Sequence, residues 1–293
     1  MNYIYSFNVT EQEYKERLTV REFVRMQGVS LTEWRRIKMQ AIIKLNGQQL
    51  EQLPYLYLND TLEIELPQTE NKNLSPEVGF LKILFEDEHL LIVSKPSGML
   101  VHPTVDNLSG TLGNLVMGHY KARGDTCGFK PVMRLDRQTS GIAIIAKSAR
   151  VQHLLSSAPL RKIYLALMPE PGFEEMDVVK PIARKLPSII EREVNEECGQ
   201  YAHTYFKVLR RYGAIALVQA ELFTGRTHQI RVHAAYLQLP LLGDDLYGGD
   251  IGLIARQALH AHCVEFKHPL TGEPLKIIDE LPKELEKCLN LSK

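Results

Sequence analysis

The sequence predicts an α+β protein, and three observations carry that expectation. From about Val78 onward, segments dense in β-branched and aromatic residues recur, among them GIAIIAKS, KIYLALMP, AHTYFKVLRRY and AIALVQAELFTG. Helical patterns fall between these strands, but the strands cluster too closely for a regular alternation of strand and helix. Ahead of them, residues 1–66 read as a unit of their own, divided from the rest by a polar, patternless stretch.

Within that first unit, LTVREFVRMQ and SLTEWRRIKMQAII carry apolar residues at helical spacing: Leu18 and Phe23, then Leu31, Trp34, Ile37 and Ile42. Gly28 stops the first helix and Ser30 can cap the second. IIKLNGQQL then turns at Asn46-Gly47, a strong hairpin signal, and DTLEIEL alternates like a strand. A lone Trp in an amphipathic helix usually packs, which assigns Trp34 to the core. PQTENKNLSPE, residues 67–77, carries prolines and no pattern, and is expected to be a linker.

The order helix, helix, hairpin, ending in LNG and LYLNDTLEIEL, resembles the S4 RNA-binding domain over Leu18 to Leu66. That resemblance implies a small S4-like α/β module whose second helix meets RNA phosphates through Arg35, Arg36 and Lys38. A module that binds protein is the alternative.

In residues 78–293, FLKILFEDEHLLIVSKPSGMLVHP reads as a strand over Phe80 to Phe85 and a polar turn over Glu86 to His89. A second strand over Leu90 to Lys95 and a Pro-Ser-Gly loop come next. Helices are expected at Gly110 to Tyr120 and at Ala149 to Ala158.

Composition narrows the function. Lysine and arginine number 35, as do aspartate and glutamate, so the whole surface is not a polyanion trap and any nucleic-acid binding must be local. The basic clusters WRRIK, LRK, ARK and LRRY exist, although each taken alone reads as a solvated face. No apolar stretch approaches the roughly 20 residues that span a bilayer, so no membrane association is expected. The amino terminus lacks the basic-then-apolar layout of a secretion signal, and a cytoplasmic location is expected. Cys127, Cys198, Cys263 and Cys288 are scattered, with no C-x-x-C pair for zinc, and reduced thiols are the default.

The segment that carries chemistry is MRLDRQTSGIAIIAKS, Met133 to Ser148. Asp136 stands between Arg134 and Arg137, and most such triplets are surface ion pairs worth little. Here the hydroxyl-rich TSG leads into IAIIA, a strand apolar on both faces. An acid at the mouth of a buried strand is held rigid and partly desolvated.

This segment resembles the signature H-R-L-D-x-x-T-S-G of the RluA-type pseudouridine synthases, which isomerise uridine in ribosomal or transfer RNA. Met133 stands where the family usually has histidine, outside the R-L-D core. Further stretches agree in the family's order: KPSGMLVHPT, RKIYLAL, TGRTHQIRVHAAYLQLPLLGDDLYGG and ALHAHCVEFKHPLTGEPL. The resemblance covers nearly all of Val78 to Leu281 and implies a mixed, largely antiparallel sheet for residues 78–293. It implies that Asp136 is the catalytic aspartate, that Arg231 of H-Q-I-R is its charge partner, and that Tyr164 is the aromatic face for the base.

Each implied residue has a chemical reason. Moving a base from an N1 to a C5 linkage neither adds nor removes electrons, so no redox cofactor is expected. No metal is demanded if a carboxylate attacks sugar or base as nucleophile, or removes a sugar proton. The sequence leaves those roles open. In each of them Asp136 must be ionised, and burial penalises charge, so an opposite charge is needed beside it. Arg226 competes for that place. Reading THQIRVHAAYL as a helix opened by Thr227, with Arg231 one turn in, favours Arg231 and leaves Arg226 to order the loop or meet phosphate. His228 and His233 invite a zinc reading, but no third ligand stands at motif spacing and H-x-x-x-x-H is not an i, i+4 pair, so no metal is expected.

The target base must leave the RNA stack before a side chain can reach its sugar, which is base flipping. Arg134 is then suited to fill the vacated space, while Arg137, Arg161 and Lys162 suit phosphate contacts. Thr139 and Ser140 are expected to fix the loop, and Gly141 to allow a close backbone approach. An ordinary core tyrosine is the alternative at Tyr164. The expected partner is RNA, ribosomal before transfer RNA, bound by a monomer. The rival reading is a catalytically silent RNA-binding or ribosome-assembly protein on the same scaffold.

Overall fold

Thr19 opens the first helix, α1 (Val20–Met26), with a capping box: its hydroxyl accepts the Glu22 amide while the Glu22 carboxylate accepts the Thr19 amide. Leu18 lies ahead of that helix and pairs with Leu56 as a short strand, so it does not belong to the helical face assigned to it. Gly28 takes φ +83° just past the end of α1, and Ser30 caps α2 (Leu31–Gln40) by accepting the Glu33 amide at 3.1 Å. Asn46 and Gly47 both have positive φ, as a tight hairpin turn requires, and join Ile42–Leu45 to Gln48–Gln49. Thr61–Pro67 lies between Ile42–Leu45 and an unpredicted strand, Asn2–Asn8. Tyr5 and Phe7 of that strand, and Val9 just after it, are buried with Phe23, Trp34, Ile37 and Leu62 in one hydrophobic cluster.

The structure is a computed structural model that describes residues 2–67, 74–188 and 190–291. Residues 68–73 of the expected linker lie outside the described residues. The carboxyl-terminal end of that linker packs onto the strand-rich part of the chain: Leu74 is buried in a second, larger core, and the Glu77 carboxylate accepts the Gly110 amide at 2.9 Å.

That larger core surrounds one mixed sheet. Its main path runs Glu175–Val179, His203–Tyr212, Ile215–Leu222, Arg161–Pro169, Leu259–Lys267, Ser140–Ala146, Leu90–Lys95 and Lys82–Glu86. Among the described residues every pairing in it is antiparallel except at the centre, where Ser140 and Gly141 run parallel to His260 and Ala261. Helices α3 (Leu112–Arg123) and α4 (Ala149–Ser157) fall in the two expected segments, α5 (Gln229–Tyr236) follows Ile215–Leu222, and α6 (Lys283–Leu291) follows the strand Pro274–Ile278. No helix among the described residues is long and apolar enough to cross a membrane.

Two irregularities at the sheet centre position the site. Gly141 takes φ +109°, and a Cβ there would lie 2.3 Å from the Ala261 carbonyl oxygen, so only glycine lets the two strands meet. On the other side of Leu259–Lys267, pairing with Arg161–Pro169 slips between Ile163 and Tyr164. Such bulges re-aim the side chains beside them.

Candidate active site

A cavity of about 470 Å³ opens beside the strand that begins at Ser140, walled by the preceding loop, by Lys162 and Tyr164, and by the start of α5. Asp136, Tyr164 and Arg231, far apart in sequence, all line it, together with Arg134, Lys162, Arg226 and His228.

The Asp136 loop has no regular secondary structure, yet buried donors hold its main chain from beneath. Lys95, fully buried, donates through Nζ to the carbonyls of Arg137 (3.0 Å), Pro96 (2.9 Å) and Met99 (2.9 Å). Burial and the nearby Arg256 pull this ammonium down to about 7, against the attraction of Asp136. Arg256 donates through Nη1 to the Gln138 carbonyl at 3.1 Å and ion-pairs with Glu284 of α6. Gln257 reaches the Thr139 hydroxyl at 3.3 Å, and the Thr139 amide donates to the Asp136 carbonyl at 3.1 Å. Ser140 is buried against His260, 3.0 Å away.

Arg231 comes from the opposite wall. Its Nη1 donates to Asp136 Oδ2 at 3.2 Å, while Nε and Nη2 grip both oxygens of Asp244 at 2.7 and 2.8 Å. Burial alone would lower the guanidinium, but the bonds and charges of Asp244 and Asp136 outweigh it and hold Arg231 above its ordinary value. The ring of Tyr247 lies 4.9 Å from its guanidinium carbon. Asp136 keeps 27% of its side-chain surface, and its Oδ1 has no hydrogen-bond partner among the described residues.

The helix that delivers Arg231 starts otherwise than Thr227 led us to expect. His228, at φ +60°, is the residue before α5 and makes no side-chain cap. Gln229 closes the turn instead, its side-chain oxygen accepting the Arg226 amide at 2.9 Å and the Thr224 hydroxyl at 2.7 Å. A carboxamide inside the first turn thus replaces the hydroxyl expected before it.

Tyr164 is buried, and burial together with the Asp136 charge pushes its hydroxyl well above the usual tyrosine value. Lys162, two residues earlier on the same face, is half-buried, which lowers its ammonium. Arg161 points the other way, and Glu221 (2.8 Å) and Glu265 (3.1 Å) engage it there, so the structure does not bring it to the cavity. Arg134 is exposed at the cavity rim. Arg226 donates to the Tyr201 carbonyl and to Gln200, both at 3.0 Å, and thereby orders its loop. Arg137 is exposed and donates to the Gly98 carbonyl at 2.9 Å. Arg35 and Lys38 are exposed on α2, away from the cavity, while Arg36 donates to the Pro67 carbonyl at 2.8 Å; Trp34 is buried.

Sequence reasoning missed Asp244, Tyr247, Lys95 and Arg256. Among the described residues no group of three or more His, Cys, Asp or Glu could hold a metal ion. His233 is buried between the Thr204 hydroxyl and the Lys180 carbonyl.

The family model for RNA pseudouridylate synthases matches residues 89–236, half of the chain and both sides of this cavity. The chain belongs to that family. It is 40% identical to the RNA pseudouridine synthase YhcT of Bacillus subtilis over 82% of this chain and 81% of the relative. It is 33% identical to the ribosomal large subunit pseudouridine synthase D of Xylella fastidiosa, over 87% and 81% respectively. These relatives make the chain an RNA pseudouridine synthase of the RluA type. The solved human RNA Pseudouridylate Synthase Domain Containing 4 shares the fold at TM-score 0.59 and 23% identity, over 71% of this chain and 92% of its own.

Proposed function

We propose that this protein isomerises uridine in ribosomal RNA with Asp136 as its catalytic carboxylate, acting through Oδ1. The observation that carries the reading is the Arg231 bond to Asp136 at 3.2 Å inside the cavity. It sets a fixed positive charge beside the carboxylate at the edge of a buried sheet. The reaction balances without redox chemistry. The N1–C1′ bond breaks, the freed uracil turns, C5 bonds to C1′, the C5 proton leaves and N1 regains one.

As a carboxylate oxygen Oδ1 can attack C1′ or the base, or take a sugar proton, and each role needs the uridine out of its stack. Unstacking costs a few kcal/mol. Tyr164 offers the freed base an aromatic face, Arg134 at the rim can fill the gap left behind, and Lys162 suits a phosphate. Ribosomal RNA is the substrate class in the name of the Xylella relative. The amino-terminal unit, with its separate core and the exposed Arg35 and Lys38, is read as an S4-like RNA-holding module joined through residues 67–77.

The test is tritium release from a large-subunit ribosomal RNA transcript tritiated at uridine C5. Asp136→Asn keeps the shape and removes the charge. Release should fall by at least about 10³-fold, with RNA affinity held within a few-fold. Release near the wild-type rate would sink the assignment.

A further inference from the structure

Asp136 Oδ2 has a second neighbour besides Arg231: Nε2 of His228 lies 3.8 Å away. His228 is an unusual residue in three respects. It is largely buried, it adopts φ +60° without being glycine, and its other ring nitrogen, Nδ1, lies 2.9 Å from the Tyr247 hydroxyl. A left-handed backbone at a residue other than glycine is a strain that persists only where its surroundings impose it, and such residues cluster at functional sites.

The hydrogen bonds around Tyr247 decide which nitrogen carries the proton. The Arg192 backbone N–H donates to the Tyr247 oxygen at 3.0 Å, an interaction that cannot be reversed. The Tyr247 O–H then has a single acceptor among the described residues, His228 Nδ1. Burial holds the phenol protonated, its pKa pushed up to about 12. A neutral imidazole whose Nδ1 accepts must carry its hydrogen on Nε2. Burial and the charges of Arg231 and Arg192 favour the neutral ring; Asp136 and Asp244 oppose them and do not prevail.

We infer that His228 is a positioning residue for the isomerisation: a neutral imidazole, its proton fixed on Nε2 by Tyr247, that joins Arg231 in engaging Oδ2 of Asp136 and leaves Oδ1 as the reacting oxygen. This rests on the reading of Asp136 as the catalytic carboxylate. At 3.8 Å the Nε2–Oδ2 pair is longer than a hydrogen bond, and catalytic contacts of this kind tighten in the Michaelis complex. With both donors on one oxygen, the carboxylate cannot rotate its two oxygens into each other's place without losing two interactions.

The experiment has two readouts. Long-range ¹H–¹⁵N spectra of the imidazoles in the intact wild-type protein, with His228→Gln to assign the signal, should show a neutral ring protonated at Nε2 at pH 7. Tyr247→Phe should release it to a mixture of tautomers. A ring protonated at Nδ1, or a charged one, overturns the inference without any variant having to fold. Single-turnover tritium release from the C5-tritiated large-subunit transcript is the second readout. His228→Leu should lose on the order of 100-fold in rate with RNA affinity unchanged, and His228→Gln, which returns an N–H near the Nε2 position, should recover most of it. A wild-type rate in His228→Leu overturns the inference, as does His228→Gln behaving no better than leucine. Asp136→Asn keeps the two readings apart. Activity there removes the catalytic assignment whatever the imidazole shows, whereas an inactive Asp136→Asn beside a fully active His228→Leu overturns only the role of His228.

Discussion

Asp136 and Arg231 meet at 3.2 Å, yet the regions that deliver them are built in opposite ways. The Asp136 loop is irregular and partly exposed, and it is held by its main chain: Lys95 and Arg256 take the carbonyls of the two residues after Asp136. α5 is regular and buried, and it is held by its side chains. Asp244 grips Arg231, Gln229 closes the first turn, and His233 spans from Thr204 to Lys180. The carboxylate proposed to meet substrate keeps one oxygen, Oδ1, free and takes its position from the backbone. Its counter-ion has no such need and is locked by a second acid. Damage to α5 should therefore cost both stability and turnover, whereas damage beneath the loop should move the carboxylate alone.

The largest effect tests the α5 side. Arg231→Met removes the charge beside Asp136 and leaves Asp244, fully buried, without its partner. Tritium release should fall by about 10³-fold, and urea unfolding should show a loss of about 3–5 kcal/mol. Adding Asp244→Leu should return much of the stability and none of the activity. An active Arg231→Met protein would remove Arg231 from the chemistry.

Between the two regions stands Tyr164, where ring and hydroxyl can be separated. Tyr164→Phe keeps the stacking face, so RNA affinity should hold while pseudouridine formation drops about 100-fold. Tyr164→Ala should also weaken binding, by about 1–3 kcal/mol. Wild-type turnover in the phenylalanine variant would leave the hydroxyl without a chemical role.

The loop side is tested by Arg256→Gln, a change at a buried residue that does not line the cavity. Single-turnover rate should fall roughly 10-fold through a displaced Asp136, with affinity unchanged. An unaltered rate would mean that Lys95 holds the loop unaided. Lys95 itself gives a signal in stability. Its ammonium is lowered to about 7 in the folded protein against an ordinary value near 10.4, so the unfolded chain binds that proton more tightly across this window. Stability from this group is therefore lowest below about pH 7 and rises as pH approaches 10.4, by up to roughly 1.4 kcal/mol per unit. Urea unfolding of wild type and Lys95→Met from pH 7 to 10 should show that rise in their difference.

Much of this was legible in local pattern. The Asn46-Gly47 turn, the Ser30 cap and the buried strand behind R-L-D depend on residues within a few positions of one another, and they stand where the sequence put them. The amino-terminal strand was missed although Tyr5, Phe7 and Val9 alternate, because the strand that completes it lies at Thr61–Pro67. Thr227 misled because a hydroxyl before an apolar run is a common cap, and nothing local announced the left-handed His228. Arg161 was counted with Lys162 as a phosphate contact, but adjacent residues in a strand face opposite sides, and two acids were waiting on the other one.

By itself the sequence determined the family and singled out the pair proposed to react. R-L-D and H-Q-I-R carried that signature, and the structure sets their Asp136 and Arg231 3.2 Å apart. Only the tertiary structure decided how that pair is held. Asp244 and Asp245 are adjacent acids that local pattern cannot tell apart, yet the turn around Gly243 buries the first completely against Arg231 and leaves the second exposed. Lys95, Arg256 and Gln257 reach the Asp136 loop from 42 to 118 residues away. Periodicity reports which face of one element is buried. Which side chains meet across that face depends on how separate elements pack, and that is where the oxygen atoms of Asp136 acquire different surroundings.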